Sequence, residues 1–217
     1  MSKVYISRDA YPQTINYIEK QGHEVVIMQP TDLVYPEVSC HSDIYMCRLG
    51  SGSKAPVLHL KNPGEIGYKY PENIAFNGAV VGKYFIHNLK HTAPRLMAEV
   101  QKLGLTTIDV NQGYTKCNLV VVDDSSCITS DEGLYRSLSP FLDVLLIEMG
   151  QVQLPGFSYG FLGGCSGRIG DLILFNGDLS AHSCFQQIEA FIGRRGLQLW
   201  YPTGQPLLDI GSIIAED

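Results

Sequence analysis

Three groups of residues in this sequence have the types and spacing to do chemistry. Cys165 follows Gly163 and Gly164 inside the stretch GFLGGCSGRIGDLILFNGD (160–178), His41 and Asp43 are separated by Ser42 alone, and Lys116 adjoins Cys117. A thiolate attacks an amidine-type carbon to give a covalent intermediate. An imidazole moves the protons such a step needs. A carboxylate offsets a guanidinium charge through paired hydrogen bonds. On this pattern Cys165 is a candidate nucleophile, His41 a candidate acid/base and Asp43 a candidate anchor for a cationic substrate. The alternative for Cys165 is a small residue packed beside two glycines. Cys117 is the other candidate thiol, because a neighbouring lysine lowers a thiol pKa.

The elements that must position these residues repeat along the chain. A strand is expected at Val4–Ser7, a helix from Pro12 to Gln21 stopped by Gly22, and strands at His23–Met28 and His41–Cys47. A hairpin at Ile74–His87 precedes a helix capped at Thr92. Strands at Thr106–Val110, Asn118–Val122 and Cys127–Thr129 follow, then a helix near Leu134–Leu142 and a strand at Val144–Ile147. The hairpin turned at Gly170-Asp171, a helix at His182–Ile192, and strands at Leu197–Tyr201 and Ile210–Ala215 complete the order.

Two columns align across these units. First strands end near Asp9, Asn88, Asp131 and Asp178, and third strands begin near Asp43, Asn118, Cys165 and Asp209. The spacing implies a fifth unit, between Asp43 and Asn88, that lacks its helix. One helix and three strands cannot bury their own apolar face, so five units are expected to share a core around a central axis. The last strand is then free to pair beside the first. A polar column between apolar strands is natural where it lines a cleft and costly where it faces a packed core. Asn118, Lys116, Asp209, Asp131 and Asp178 are therefore candidate substrate-binding residues. For Asp131 and Asp178 the alternative is capping of helix amides. The Gly/Pro/Lys-rich run Leu49–Asn73, with Tyr68 and Tyr70, is expected to cover the mouth of the cleft.

His41-Ser42-Asp43 before an apolar pair, and a late cysteine behind glycines, resemble motifs of the pentein fold of guanidino-modifying enzymes. That group includes arginine deiminases, dimethylarginine hydrolases and amidinotransferases. GYTKCN (113–118) and GFLGGCSG (160–167) make the whole chain similar to an uncharacterised bacterial family of this fold. The resemblance implies a pentein-type α/β propeller of five pseudo-repeats. It implies a cysteine-dependent hydrolase or transferase acting on C–N bonds of a small guanidine, amidine or amide compound. A non-catalytic binding or interaction scaffold is the alternative, since fold alone does not fix function. The chain is shorter than those enzymes and shows no clear second guanidinium-binding carboxylate motif.

Composition narrows the remaining choices. With 217 residues, 45% of them apolar, one domain spanning 1–217 has material for a full core. A net charge of -6 argues against nucleic acid or anionic lipid as partner, and the carboxylates of Asp43 and Asp209 suit a cationic small molecule. No run approaches the roughly 20 apolar residues of a membrane span. The six cysteines include no CxxC pair, so no zinc knuckle, and neither metal nor cofactor, is expected. Reduced thiols and an N-terminus without a signal-peptide core lead to a cytoplasmic expectation.

Overall fold

The computed structural model describes residues 1–52 and 54–217. In chain order the elements are β1 (Lys3–Ser7), α1 (Pro12–Lys20), β2 (Glu24–Met28), α2 (Ser42–Tyr45), β3 (Met46–Arg48) and β4 (Val57–His59). Then come β5 (Ala79–Val81), β6 (Tyr84–His87), α3 (Pro94–Lys102), β7 (Thr106–Asp109), α4 (Thr115–Asn118), β8 (Val120–Val121) and β9 (Ser126–Thr129). The chain ends with α5 (Glu132–Leu138), β10 (Asp143–Leu146), β11 (Ser166–Ile169), β12 (Leu172–Phe175), α6 (Phe185–Gly193), β13 (Gln198–Trp200) and β14 (Ile214–Glu216).

The helices form where apolar residues recur at helical spacing. Proline opens α1 and α3, where its missing N–H costs nothing. The Asp131 side chain accepts the Leu134 amide to open α5. Each of the four longer helices crosses between two parallel strands: α1 joins β1 to β2, α3 joins β6 to β7, α5 joins β9 to β10, and α6 joins β12 to β13. In each case a third strand pairs antiparallel to the first: β14 with β1, β5 with β6, β8 with β9, and β11 with β12. The described residues thus form four three-stranded sheets of one pattern and a two-stranded sheet, β3–β4. Among the described residues no α-helix lies between β3 and β5.

No sheet buries its apolar surface alone. Ile18 of α1 joins Val4 and Ile6 with Leu174 from the last sheet, and Leu134 and Leu138 of α5 join Ile128's neighbour Cys127 with Ile86 and Ile108. The third strands touch in the order β14, β3, β5, β8, β11, and β11 returns to β14. Burying Leu, Ile or Phe side chains stabilises by about 1.5–3 kcal/mol each, so the shared clusters are what makes small units stable together.

Three expectations change. His41–Cys47 and Asn118–Val122 were expected as strands, but a helical turn precedes the strand in each case (α2, α4). Residues 74–78 belong to a 3-10 turn and its exit, so β5 begins only at Ala79. Thr92 does not cap α3. Its hydroxyl instead pairs with His87 Nδ1 at 2.8 Å, and Ala93 takes the cap position.

Candidate active site

The segments leading into the five sheets meet at one place. Asp43 N donates to the Gly211 carbonyl (3.1 Å), Ser212 N to Gly164 (2.7 Å), Gly164 N to Cys117 (2.7 Å), and Lys116 N to Asn77 (3.0 Å). The Asn77 side chain closes the cycle by donating to the Asp43 carbonyl at 3.3 Å. Backbone groups at such a convergence would be costly unpaired, and the cycle satisfies them.

Three reactive side chains stand inside it. One ligand-capable atom each of His41, Asp43 and Cys117 lies within 4.8 Å of the other two. Cys117 Sγ donates to Asp43 Oδ2 at 2.9 Å, and Ser212 Oγ lies 2.7 Å from the same oxygen. Lys116 Nζ donates to Ser212 Oγ at 3.1 Å, so ammonium, hydroxyl, carboxylate and thiol form one chain. Asp43 Oδ1 is buried without a partner among the described residues. Ser212 holds φ +65°, a sparsely populated conformation for a residue with a side chain. Gly211, at φ +70°, lies so close to His41 that a Cβ there would overlap the histidine.

Burial dominates the electrostatics. It pushes the Asp43 carboxyl up, against the pull of His41 and of the Cys117 hydrogen bond, and pushes the His41 imidazolium and the Lys116 ammonium down. Burial together with Asp43 and Asp209 raises the Cys117 thiol well above its ordinary value. Both shifts favour the neutral forms, a thiol at Cys117 and an imidazole at His41.

A cavity of about 290 Å³ opens over Cys117, His41 and Asp209. Its walls are aromatic: Tyr35, Tyr114, Phe157, Tyr159 and Phe161. Tyr35 and Tyr114 share a 2.5 Å hydroxyl contact, and Asn73 Nδ2 donates to Tyr114. Asp209 is pushed up to about 6 by burial, although the amides of Phe161 and Gly211 hold its two oxygens. Gly164 makes room for that carboxylate, because a Cβ there would overlap it.

The candidate residues from the sequence fall into four sets. His41, Asp43 and Asp209 come together with Cys117, and Lys116 reaches the same chain from a separate cavity of about 60 Å³ shared with Arg48 and Arg168. Cys165 is elsewhere. Its thiol donates to the Leu162 carbonyl at 3.2 Å within an apolar cluster containing Val120, Phe175 and Ile188. Asn118 is buried and donates to the Tyr114 carbonyl, with its own Oδ1 unpaired. Asp131 and Asp178 cap turns: Asp131 accepts from Leu134 N, and Asp178 from the amides of Ser180 and Gly204.

The covering segment also differs from expectation. Leu154, Phe157, Ser158, Tyr159 and Phe161 come from the connection between β10 and β11, not from 49–73. Within 49–73, Tyr70 packs behind the wall, 5.7 Å from the Tyr114 ring, and Gly50 and Ser51 line the smaller cavity. Ser53 lies outside the described residues. Asn77, Ser212 and the aromatic wall carried no motif signal in the sequence.

Residues 5–214 match the family of unknown function DUF6873. The chain belongs to that family. No curated protein sequence matches it significantly. Among solved structures it is similar to DDAH from Pseudomonas aeruginosa, a cysteine-to-serine mutant complexed with citrulline. The TM-score is 0.53 at 12% identity, covering 93% of this chain and 91% of that one. This DUF6873 chain therefore has a mixed α/β fold of the DDAH, pentein-like kind. Among the described residues no helix is long and apolar enough to cross a membrane.

Proposed function

We propose that this DUF6873 protein is a cysteine-dependent enzyme acting on a C–N bond of a small guanidine or amidine cation, with Cys117 as nucleophile. The observation that carries this reading is the 2.9 Å contact of Cys117 Sγ with Asp43 Oδ2, beside His41, beneath an aromatic cavity. Aromatic faces and carboxylates both attract a delocalised cation. The citrulline in the DDAH complex favours a ligand with a planar guanidino- or ureido-type head. The proposed architecture is one domain of five pseudo-repeats, the second without its helix, and the cycle of strand contacts supports it. Six free thiols suit a reducing compartment such as the cytoplasm.

In this mechanism the cation's charge compensates Asp43 and Asp209, which lowers the cost of forming a thiolate. The Cys117 proton passes to neutral His41. The sulfur attacks the central carbon, the C–N bond breaks, and the imidazolium returns a proton to the leaving amine. Water then attacks the thioester-like carbon with His41 as base, and the C–S bond breaks to regenerate the thiol. Asp43 positions thiol and substrate, and Asp209 adds negative charge at the cavity floor.

The high resting pKa of Cys117 favours a second reading, a binding scaffold without turnover. An alkylating amidine separates the two. The enzyme reading expects Cys117 to be labelled far faster than Cys165 or Cys127, with saturation in amidine. Equal labelling of the three thiols rejects it.

A further inference from the structure

His41, Asp43 and Cys117 also form a nitrogen, oxygen and sulfur donor set. A tetrahedral zinc-class ion holds such donors at about 2.0–2.3 Å, which sets them roughly 3.5 Å apart. The three donor atoms here all lie within 4.8 Å of one another, and among the described residues no other group of three His, Cys, Asp or Glu side chains does so. A second observation points to a ligand: Asp43 is fully buried, yet its Oδ1 has no hydrogen-bond partner among the described residues. His41 and Cys117, but not Asp43, line the aromatic cavity, so a fourth coordination position would open into it.

We infer that His41, Asp43 and Cys117 constitute a binding site for a divalent transition-metal ion of the zinc class, with its fourth position open to the cavity. The polar surroundings suit such an ion: Asp209 lines the cavity beside His41 and Cys117, and Lys116 reaches Asp43 only through the Ser212 hydroxyl. The 2.9 Å contact between Cys117 and Asp43 must widen by a fraction of an ångström, and the ion replaces the thiol proton that now bridges them. That proton leaves to solvent, so each ion bound as a thiolate complex releases one from Cys117. The spacing of the donors hides the site from motif reading, because Cys117 comes from a different unit than His41 and Asp43. This inference rests on the donor geometry and not on turnover.

Cobalt(II) titrated into the reduced, metal-free protein tests it. The expected result is a thiolate-to-cobalt charge-transfer band with the visible bands of a tetrahedral ion, saturating at one equivalent. Affinity should rise about tenfold per pH unit near neutrality, as loss of one thiol proton requires. Cys127→Ala keeps the band and Cys117→Ser loses it. On the wild-type protein, one equivalent of zinc should displace cobalt and protect Cys117 from a neutral alkylating reagent in peptide mapping. No thiolate band, or one that survives Cys117→Ser, overturns the inference, as does unprotected Cys117 at saturating zinc. Amidine labelling of the metal-free protein reads the enzyme proposal separately, so either can fail alone.

Discussion

Cys117 donates its thiol proton to Asp43 across 2.9 Å, although the two residues are 74 positions apart in the chain. Asp43 thereby does two opposing things: it orients the sulfur and, by its charge, holds the proton on it. Asp43→Asn should leave Cys117 in place but lower its pKa. At a fixed pH near 8 a neutral alkylating reagent should then react several-fold faster, while labelling by a cationic amidine loses its advantage. Alkylation rates against pH for both reagents check this, and an unchanged or higher thiol pKa would contradict it.

Cys165 packs in an apolar cluster with Val120, Phe175 and Ile188. Cys165→Ala should cost about 1–2 kcal/mol through the small void it leaves. Amidine labelling of Cys117 should persist in that variant. Urea denaturation and peptide mapping read the two effects, and loss of labelling with full stability would return Cys165 to the chemistry.

Gly211 lies against His41 with φ +70°. Gly211→Ala combines backbone strain of about 1–3 kcal/mol with overlap on the histidine. A lowered thermal midpoint together with loss of amidine labelling is expected. A variant as stable as wild type would rule out so close a contact.

Asp209 should leave a mark on stability against pH. Its folded pKa, about 6, exceeds the ordinary 3.8, so between these values the folded state holds more protons than the unfolded one. Stability therefore falls as pH rises through that window, by up to roughly 1 kcal/mol per pH unit, and this contribution is flat above it. The difference between wild type and Asp209→Asn, measured by urea denaturation from pH 4 to 7, should show that slope. A difference independent of pH would remove the raised pKa.

Phe157 and Tyr159 are 49% and 38% exposed, so little of the core depends on them. Replacing either by alanine should leave the thermal midpoint nearly unchanged. The half-saturating amidine concentration in the labelling reaction should rise about threefold to tenfold, as loss of a cation–π contact predicts. Unchanged saturation would place the cation elsewhere.

The sequence by itself determined the alternation of short strands with amphipathic helices, the helix missing after β3, and the C-terminal strand that pairs with β1. These follow from local periodicity and turn residues, which act over a few positions. It also marked His41 and Asp43 as polar residues set among apolar ones. Which thiol they meet was decided only by tertiary structure. The sequence column put Asp43 level with Asn118 and Cys165 by treating every third strand as extended from its first polar residue. The helical turns α2 and α4 advance side chains by about 100° per residue where a strand advances 180°. They stand Asp43 and Cys117 each three residues before the strand that follows, β3 and β8, and the two side chains meet. The aromatic wall was equally out of reach of local reading. Tyr35, Tyr114 and Phe157 lie in separate loops, and only the assembled core brings them around one cavity.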